Sequence, residues 1–298
     1  MVQIENASFT YENAVNGDAI TDINVQISKG QVILLCGESG SGKTTFGRLV
    51  NGLIPSYYEG ELDGSVFVSG KDIEEIELHE LAPYVGSVFQ NPKSQFYTLQ
   101  TDTEIVFACE NIGMEKADIL ARFDSTIASL HIEKLLGRSL FALSGGEKQK
   151  IACASVHALM PDIFVLDEPS SNLDIKTIQD LRAILLSWKV QGKTIVIAEH
   201  RLSWLRGIVD RILFFQSGKI VQDLKAETFW AKPERELHEM GLRAPIAFTP
   251  TCDLGQAAAE SVELYGFECT LKRTKIIDIP HLQIPKGAAV AVLGNNGN

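Results

Sequence analysis

The chain has no apolar run long enough to cross a bilayer. Its longest runs, residues 32–36, 163–166 and 195–198, hold four or five residues, where about 18 to 20 are needed. It does not open on a basic stretch followed by an apolar one, so no export leader is expected. The five cysteines, Cys36, Cys109, Cys153, Cys252 and Cys269, are scattered and form no C-x-x-C pair. That pattern fits reduced thiols in a cytosolic protein; with no export leader expected, the sequon match at Asn6-Ala7-Ser8 reads as accidental. Basic residues are in deficit: 27 Lys and Arg stand against 38 Asp and Glu, a net charge of -11. Such a surface repels phosphate backbones, so no nucleic acid is expected as a partner, a local basic groove aside. What is present is 298 residues, 45% hydrophobic and 22% charged. That is enough for a real core in one large domain or two ordinary ones.

Residues 1–36 alternate apolar and polar, with turn signals at Asn16-Gly17 and Lys29-Gly30. This predicts antiparallel strands ending in one buried strand, 32–36. A glycine-rich loop and a helix-like stretch, 43–53, follow. Residues 60–70, with Asp63-Gly64 and Ser69-Gly70, predict another hairpin, and 98–140 carry helical periodicity with mixed charge. A helix-like run, 147–160, precedes a buried strand closing at Leu166. Residues 194–198 predict a further buried strand, and 211–215 start a hairpin turning at Ser217-Gly218. Strands alternating with helices predict a mainly parallel α/β sheet. From 225 to 258 the periodicity weakens around Pro233, Pro245 and Pro250, which predicts a linker with room for one short helix.

The tail repeats the head. Ser28-Lys29-Gly30, a buried strand and Gly37 recur as Pro285-Lys286-Gly287, a buried strand (289–293) and Gly294, with the same glycine-to-glycine spacing. Phe9 has a counterpart in Phe267, Gly297 matches Gly40, and Asn298 matches Ser41. The tail therefore reads as the first strands of a second copy, stopping inside its own glycine-rich loop.

The chemistry sits in a few segments. Gly37-Glu38-Ser39-Gly40-Ser41-Gly42-Lys43-Thr44 fits G-x-x-x-x-G-K-[ST] between a strand and a helix. A triphosphate needs several main-chain N–H groups pointing inward, and glycines let the backbone wrap that closely. The helix start adds partial positive charge. Lys43 is expected to reach the β- and γ-phosphates, with Thr44 on Mg²⁺ and the next residue, Thr45, in the same site. The strand 162–166 ends in Asp167 and Glu168. Asp167 is expected in the Mg²⁺ shell, and Glu168 where a water is activated for in-line attack. Ser144-Gly145-Gly146-Glu147 opens a helix and offers a second anion cradle, or else a simple N-cap. One nucleotide does not need two cradles from one chain unless another subunit contributes. His200 either meets a γ-phosphate or is an ordinary satisfied histidine. Gln90 could touch Mg²⁺ or water, and Tyr11 could stack an adenine or pack on the sheet; spacing does not separate these readings.

Taken in order, Tyr11, the loop 37–44, Gln90, Leu143-Ser144-Gly145-Gly146-Glu147, Leu166-Asp167-Glu168-Pro169, Ser171-Asn172-Leu173-Asp174 and His200 resemble the nucleotide-binding domain of ABC transporters across residues 1–230. Val88-Phe89-Gln90-Asn91-Pro92, Glu147 in the signature and Ala198-Glu199-His200-Arg201-Leu202 look like the energy-coupling factor group of vitamin and metal-ion importers. The resemblance implies an α/β P-loop NTPase fold with a RecA-like core, an antiparallel β subdomain and a helical signature subdomain. It implies a domain at 1–230, a linker at 231–260 and a truncated second domain at 261–298. It implies ATP and Mg²⁺ as ligands, and ATP hydrolysis coupled to uptake of a small nutrient. It further implies a second ABC domain and a transmembrane transporter subunit as partners, with the chain peripheral on the cytoplasmic face of the membrane. In that family pattern Tyr11 stacks the adenine, and Gln90 senses Mg²⁺ and links to the membrane subunit. Ser144, Gly145 and Gly146 take the γ-phosphate held by the opposite domain, and Asp174 lies in the loop communicating across that interface. Glu168 is the general base and His200 the γ-phosphate switch. Cys269 stands where the tail would repeat Tyr11, and the tail holds no lysine, signature or base of its own.

Overall fold

The strands of this chain divide by burial pattern. In the computed structural model, described for residues 1–12, 19–242, 260–271, 274–287 and 290, the half-exposed alternating segments form one sheet and the fully buried runs another. β1 (Val2–Tyr11) and β2 (Ile20–Ile27) pair antiparallel, with Val2 opposite Ile27 and Phe9 opposite Ile20. β3 (Val32–Gly37) is buried along its whole length and belongs to the other sheet. α1 (Lys43–Val50) follows, then the short α2 (Leu53–Ser56), β4 (Gly60–Val68), β5 (Lys71–Asp72), the short α3 (Leu78–Leu81) and β6 (Val85–Val88). α4 (Thr101–Asn111), α5 (Lys116–Leu130) and α6 (Gly145–Ala158) form a helical group before β7 (Ile163–Asp167), α7 (Ile175–Val190) and β8 (Thr194–Ala198). β9 (Arg211–Gln216) and β10 (Lys219–Lys225) make a hairpin that turns at Ser217-Gly218, and α8 (Ala226–Trp230) and α9 (Glu234–Glu239) close this unit.

The antiparallel sheet has the order β2-β1-β4-β5. The larger sheet has the order β10-β9-β3-β8-β7-β6, parallel from β9 to β6 with β10 antiparallel at the edge. Alternation along β3 explains why both its faces must be apolar: Ile33 and Leu35 enter a core shared with α1 and the antiparallel sheet, while Val32, Leu34 and Cys36 enter a core built with the helices on the opposite face. On that second face Trp188 of α7 stacks on Phe164 of β7, with ring centroids 3.8 Å apart. His157 of α6 accepts the Trp188 indole N–H at 3.0 Å. This cluster locks α6 and α7 onto the sheet. Because the five strands from β9 to β6 are parallel, the loops leaving β3, β6, β7 and β8 all emerge at one edge, where open α/β sheets bind their ligands.

Two readings of the sequence need amending. Asp63-Gly64 is not a hairpin turn: it lies inside β4, where the register against β1 shifts between Glu5 and Ser8, and the turn is Ser69-Gly70. The linker expected from 231 is, at its start, part of the first unit: Phe229, Leu237 and Leu242 are buried in the helical-face core. The unit boundary falls at Ile246 and Ala247. The Asn16-Gly17 turn, Pro245, Pro250, Cys252, Gly294, Gly297, Asn298 and all of the strand expected at 289–293 except the exposed Val290 lie outside the described residues.

The second unit, described by itself, is a hairpin of β11 (Ser261–Leu271) and β12 (Thr274–Pro285). Phe267, matched by sequence to the buried Phe9, is half exposed here. Gly287 at φ 75 and Gly30 at φ 78 share one backbone conformation at the matched turns.

Candidate functional site

The phosphate loop joins β3 to α1. Gly37 has φ 144, and a Cβ there would lie 2.2 Å from the Phe215 carbonyl oxygen, so only glycine passes. Gly42 is the N-cap of α1 and offers no side-chain cap, which leaves the first amides of the helix to a ligand. Lys43 is buried, and its ammonium donates to Gly37 O at 3.0 Å, Glu38 O at 2.7 Å and Ser41 Oγ at 3.3 Å. Burial pushes that ammonium down, while Glu168, Cys36 and Asp167 pull it up. Burial also raises the Cys36 thiol, to about 12, which leaves the cysteine beside the loop inert.

Asp167 ends β7 and Thr44 begins α1, and the sheet brings them together: Thr44 Oγ1 donates to Asp167 Oδ2 at 3.0 Å and lies 3.2 Å from Oδ1. Burial is the main influence on Asp167 and raises its carboxyl. A hydroxyl and a carboxylate are hard oxygen donors of the type Mg²⁺ takes, and Gln90 adds an amide next to them. Among the described residues no group of three or more His, Cys, Asp or Glu surrounds a point. A cation at Asp167 would therefore take the rest of its shell from water and phosphate, as Mg²⁺ does at nucleotide sites. The residues fit the metal.

Glu168 sits between two partners. Its Oε2 accepts from Gln90 Nε2 at 3.0 Å, and its Oε1 lies 3.2 Å from His200 Nε2. The second contact has ion-pair distance without hydrogen-bond alignment, so the imidazole nitrogen has no aligned partner. Glu168 has φ 42, a left-handed backbone unusual for a residue with a side chain.

Tyr11 ends β1 beside the same helix. Its hydroxyl is 3.1 Å from Thr45 Oγ1 and accepts from Arg48 Nη1 at 2.8 Å, and its ring meets the edge of Phe9 with centroids 4.8 Å apart. Arg48 also lies over the Tyr58 ring, 3.8 Å from its centroid. Thr10, Tyr11 and Glu59–Glu61 line an open cleft of 530 Å³. Arg48 carried no signal in the sequence, because its partners are 10 and 37 positions away.

Ser144 caps α6. Its side chain accepts from Glu147 N, and Glu147 returns a bond to Ser144 N at 2.8 Å. The Glu147 carboxylate also takes Arg138 at 2.6 Å. That commits it to positioning the cap, and together they lower its carboxyl against the opposing effect of burial. Both sequence readings of this segment, cap and cradle, are compatible with the geometry: Ser144 and Gly145 are exposed, and a Cβ at Gly145 would meet nothing within 4 Å. Gly146 differs, because a Cβ there would lie 2.5 Å from Thr177 Cγ2. The structure thus brings together the phosphate loop, Gln90, Asp167, Glu168 and His200. Among the described residues it gives the Ser144 cradle no hydrogen bond to that loop. Asp174 caps α7 by accepting from Thr177 N at 2.8 Å.

A family model described as ABC transporter matches residues 20–171. An ABC transporter ATP-binding protein of Treponema denticola is 43% identical over the whole chain, and the chain spans 62% of that relative's length. A second protein so named from the same organism is 37% identical, again with 62% of its length matched. One from Pyrococcus abyssi is 37% identical over 82% of this chain and 87% of its own. Among solved structures, CbiO1 of Clostridium perfringens, described as part of the ABC transporter complex cbiONQ, superposes with a TM-score of 0.70 at 24% identity, covering 80% of this chain and 94% of that one. A dimeric ATP-binding cassette in a post-hydrolysis state with ADP and Pi gives 0.64 at 24% identity, covering 76% and 99%. These two likenesses concern the fold.

Proposed function

The chain belongs to the ABC transporter family of ATP-hydrolysing domains, and from that premise we propose that it binds Mg-ATP, hydrolyses it, and energises uptake of a small nutrient through a membrane transporter. One observation carries the proposal: Lys43, the Thr44–Asp167 pair and Glu168 with its two partners converge at one sheet edge.

Lys43 would exchange the Gly37 and Glu38 carbonyls for β- and γ-phosphate oxygens, while the α1 amides face the same anion. Thr44 and Asp167 would hold Mg²⁺, with Gln90 beside them; the metal supplies neutralisation of the charge on the transferred phosphoryl group. Glu168 would accept the proton of the attacking water, and Gln90 and His200 each engage one of its carboxylate oxygens. The Tyr11 ring would carry the base. The exposed Ser144-Gly145 cradle is left for a nucleotide on a second ABC domain, so two domains would close head to tail on two nucleotides. ATP binds the closed form better, and phosphate loss releases it.

Support for a nutrient importer comes from Glu147 in the signature and from Ala198-Glu199-His200-Arg201-Leu202. No helix of the described residues is long and apolar enough to cross a membrane. A transmembrane partner would supply that part and hold this chain at the cytoplasmic face. The strongly exposed Tyr57 and Tyr97, which line a cleft of 580 Å³ shared with Thr44, Gln90 and Asp167, would suit such a partner.

Ser144→Arg tests the reading. ATP binding should persist and turnover should vanish, because the bulky cation fills the cradle offered to the opposite nucleotide. Turnover that survived would overturn the two-domain sandwich.

A further inference from the structure

We propose that Glu199 and Arg201 are positioning residues for the reaction: they hold His200 against Glu168 and tie both to the loop that leaves β7. The proposal rests on the hydrolytic reading above.

The chain leaves β8 at Glu199, whose side chain turns back into the protein and is 2% exposed. Its Oε1 accepts the main-chain N–H of His200 at 2.8 Å and of Arg201 at 2.9 Å. Two donors on one buried carboxylate oxygen fix the turn at which His200 departs from the sheet. A carboxylate is costly to bury without partners, so these amides are the reason it can sit there. The second oxygen, Oε2, is buried with no hydrogen-bond partner among the described residues, which shows that the amide contacts, and not a full ion pair, define the role of this side chain.

Arg201 then reaches the other way. Its Nη1 donates to the carbonyls of Ser170 at 3.2 Å and Leu173 at 3.0 Å, both in the segment that begins at Glu168. Glu168 N donates to Ala198 O at 2.9 Å. The contacts close a ring from Glu168 along its loop to Arg201, through His200, and back to Glu168 across the 3.2 Å gap. A residue with a side chain keeps a left-handed backbone, as Glu168 does, only where its surroundings over-determine it; this ring is such a surrounding. Catalysis by a positioned base is sensitive to displacements of about 1 Å, and the ring sets the position of the base and its imidazole partner together.

The experiment uses the 298-residue chain with saturating Mg-ATP. Arg201→Met keeps the stem and removes both Nη1 hydrogen bonds; Arg201→Lys keeps a cationic donor; Glu199→Ala removes the acceptor and Glu199→Gln keeps an acceptor oxygen. Arg201→Met should lower kcat by about 10- to 100-fold with KM within about twofold, since neither Lys43 nor Tyr11 is touched. Arg201→Lys should restore most of that loss; Glu199→Ala should likewise lower kcat with KM little changed, and Glu199→Gln should repair most of that second loss. In a His200→Ala background Arg201→Met should cost little more, because residues acting through one another are not additive. An unchanged kcat in Arg201→Met would overturn the proposal. So would a joint loss of ATP binding and turnover that Arg201→Lys does not repair, which would mark Arg201 as structural. Absence of turnover in the unchanged chain would instead overturn the hydrolytic reading on which this rests.

Discussion

Gly146 is placed to show that the signature segment is a packing junction as well as a cradle. It lies in the first turn of α6, directly under α7. A Cβ at this position would sit 2.5 Å from Thr177 Cγ2, 2.6 Å from Oγ1 and 3.1 Å from Cβ. Threonine carries two heavy atoms on its Cβ, so any staggered rotamer leaves at least one of them facing the intruding methyl. Relief requires a shift of α6 against α7, and such overpacking costs about 1–3 kcal/mol. Against it stands the gain from replacing glycine by alanine in a helix, about 1 kcal/mol at most. Gly146→Ala should therefore lower stability by up to roughly 2 kcal/mol, which is a few degrees in Tm at about 2–4 °C per kcal/mol for a domain of this size. Gly145→Ala is the control, because nothing lies within 4 Å of its Cβ; it should leave Tm unchanged or raise it. Thr177→Ala placed on Gly146→Ala should recover most of the loss. Thermal unfolding of the three variants decides the matter. Equal Tm values for the Gly145 and Gly146 variants would refute the packing argument.

Other consequences concern acid, metal and base. Burial lowers the His157 imidazole from 6.5 to about 4, so between those values the unfolded chain takes up a proton that the folded chain refuses. Stability from this residue is complete above about pH 6.5 and is lost as pH falls through about 4, reaching ~3 kcal/mol. His157→Gln, which keeps an acceptor for Trp188, should flatten the stability profile over that window in urea titrations run at stepped pH. Asp167→Asn should weaken Mg²⁺-dependent ATP binding. Side chains one step behind a metal ligand are worth about 10- to 100-fold in affinity, so losing the ligand should cost no less, read by calorimetry with and without Mg²⁺. Tyr11→Ala should weaken ATP binding by the value of one base–aromatic stack, about 1–3 kcal/mol; equal affinities would assign Tyr11 to sheet packing alone.

Much of this was legible in the chain because local rules and global fold agree. The strand–loop–helix around Lys43, the cap at Ser144 three residues before Glu147, and the buried strand ending in Asp167 are each written in one short continuous stretch. The strand order that brings Lys43 and Asp167 together, with β8 between β3 and β7, was not legible, because strand order leaves no local signature. Asp63-Gly64 read as a turn because that dipeptide favours one, yet pairing of β4 with β1 along its whole length converts it to an irregularity within the strand. The stretch after 225 looked like a linker because α8 and α9 are too short to show periodicity, although each buries one large apolar side chain, Phe229 and Leu237. Glu199 and Arg201 were visible as part of a family-like string, but their work is done on His200, Ser170 and Leu173 and needs three dimensions to see.

The two-domain mechanism is tested most directly by sedimentation of Glu168→Gln, which should bind Mg-ATP without cleaving it. If the exposed Ser144 cradle completes a site on a facing domain, adding Mg-ATP should convert this variant from monomer to dimer in analytical ultracentrifugation, and removing ATP should reverse it. A variant that binds Mg-ATP yet sediments as a monomer at every concentration would contradict self-pairing of residues 1–246 and the closed sandwich they are proposed to form.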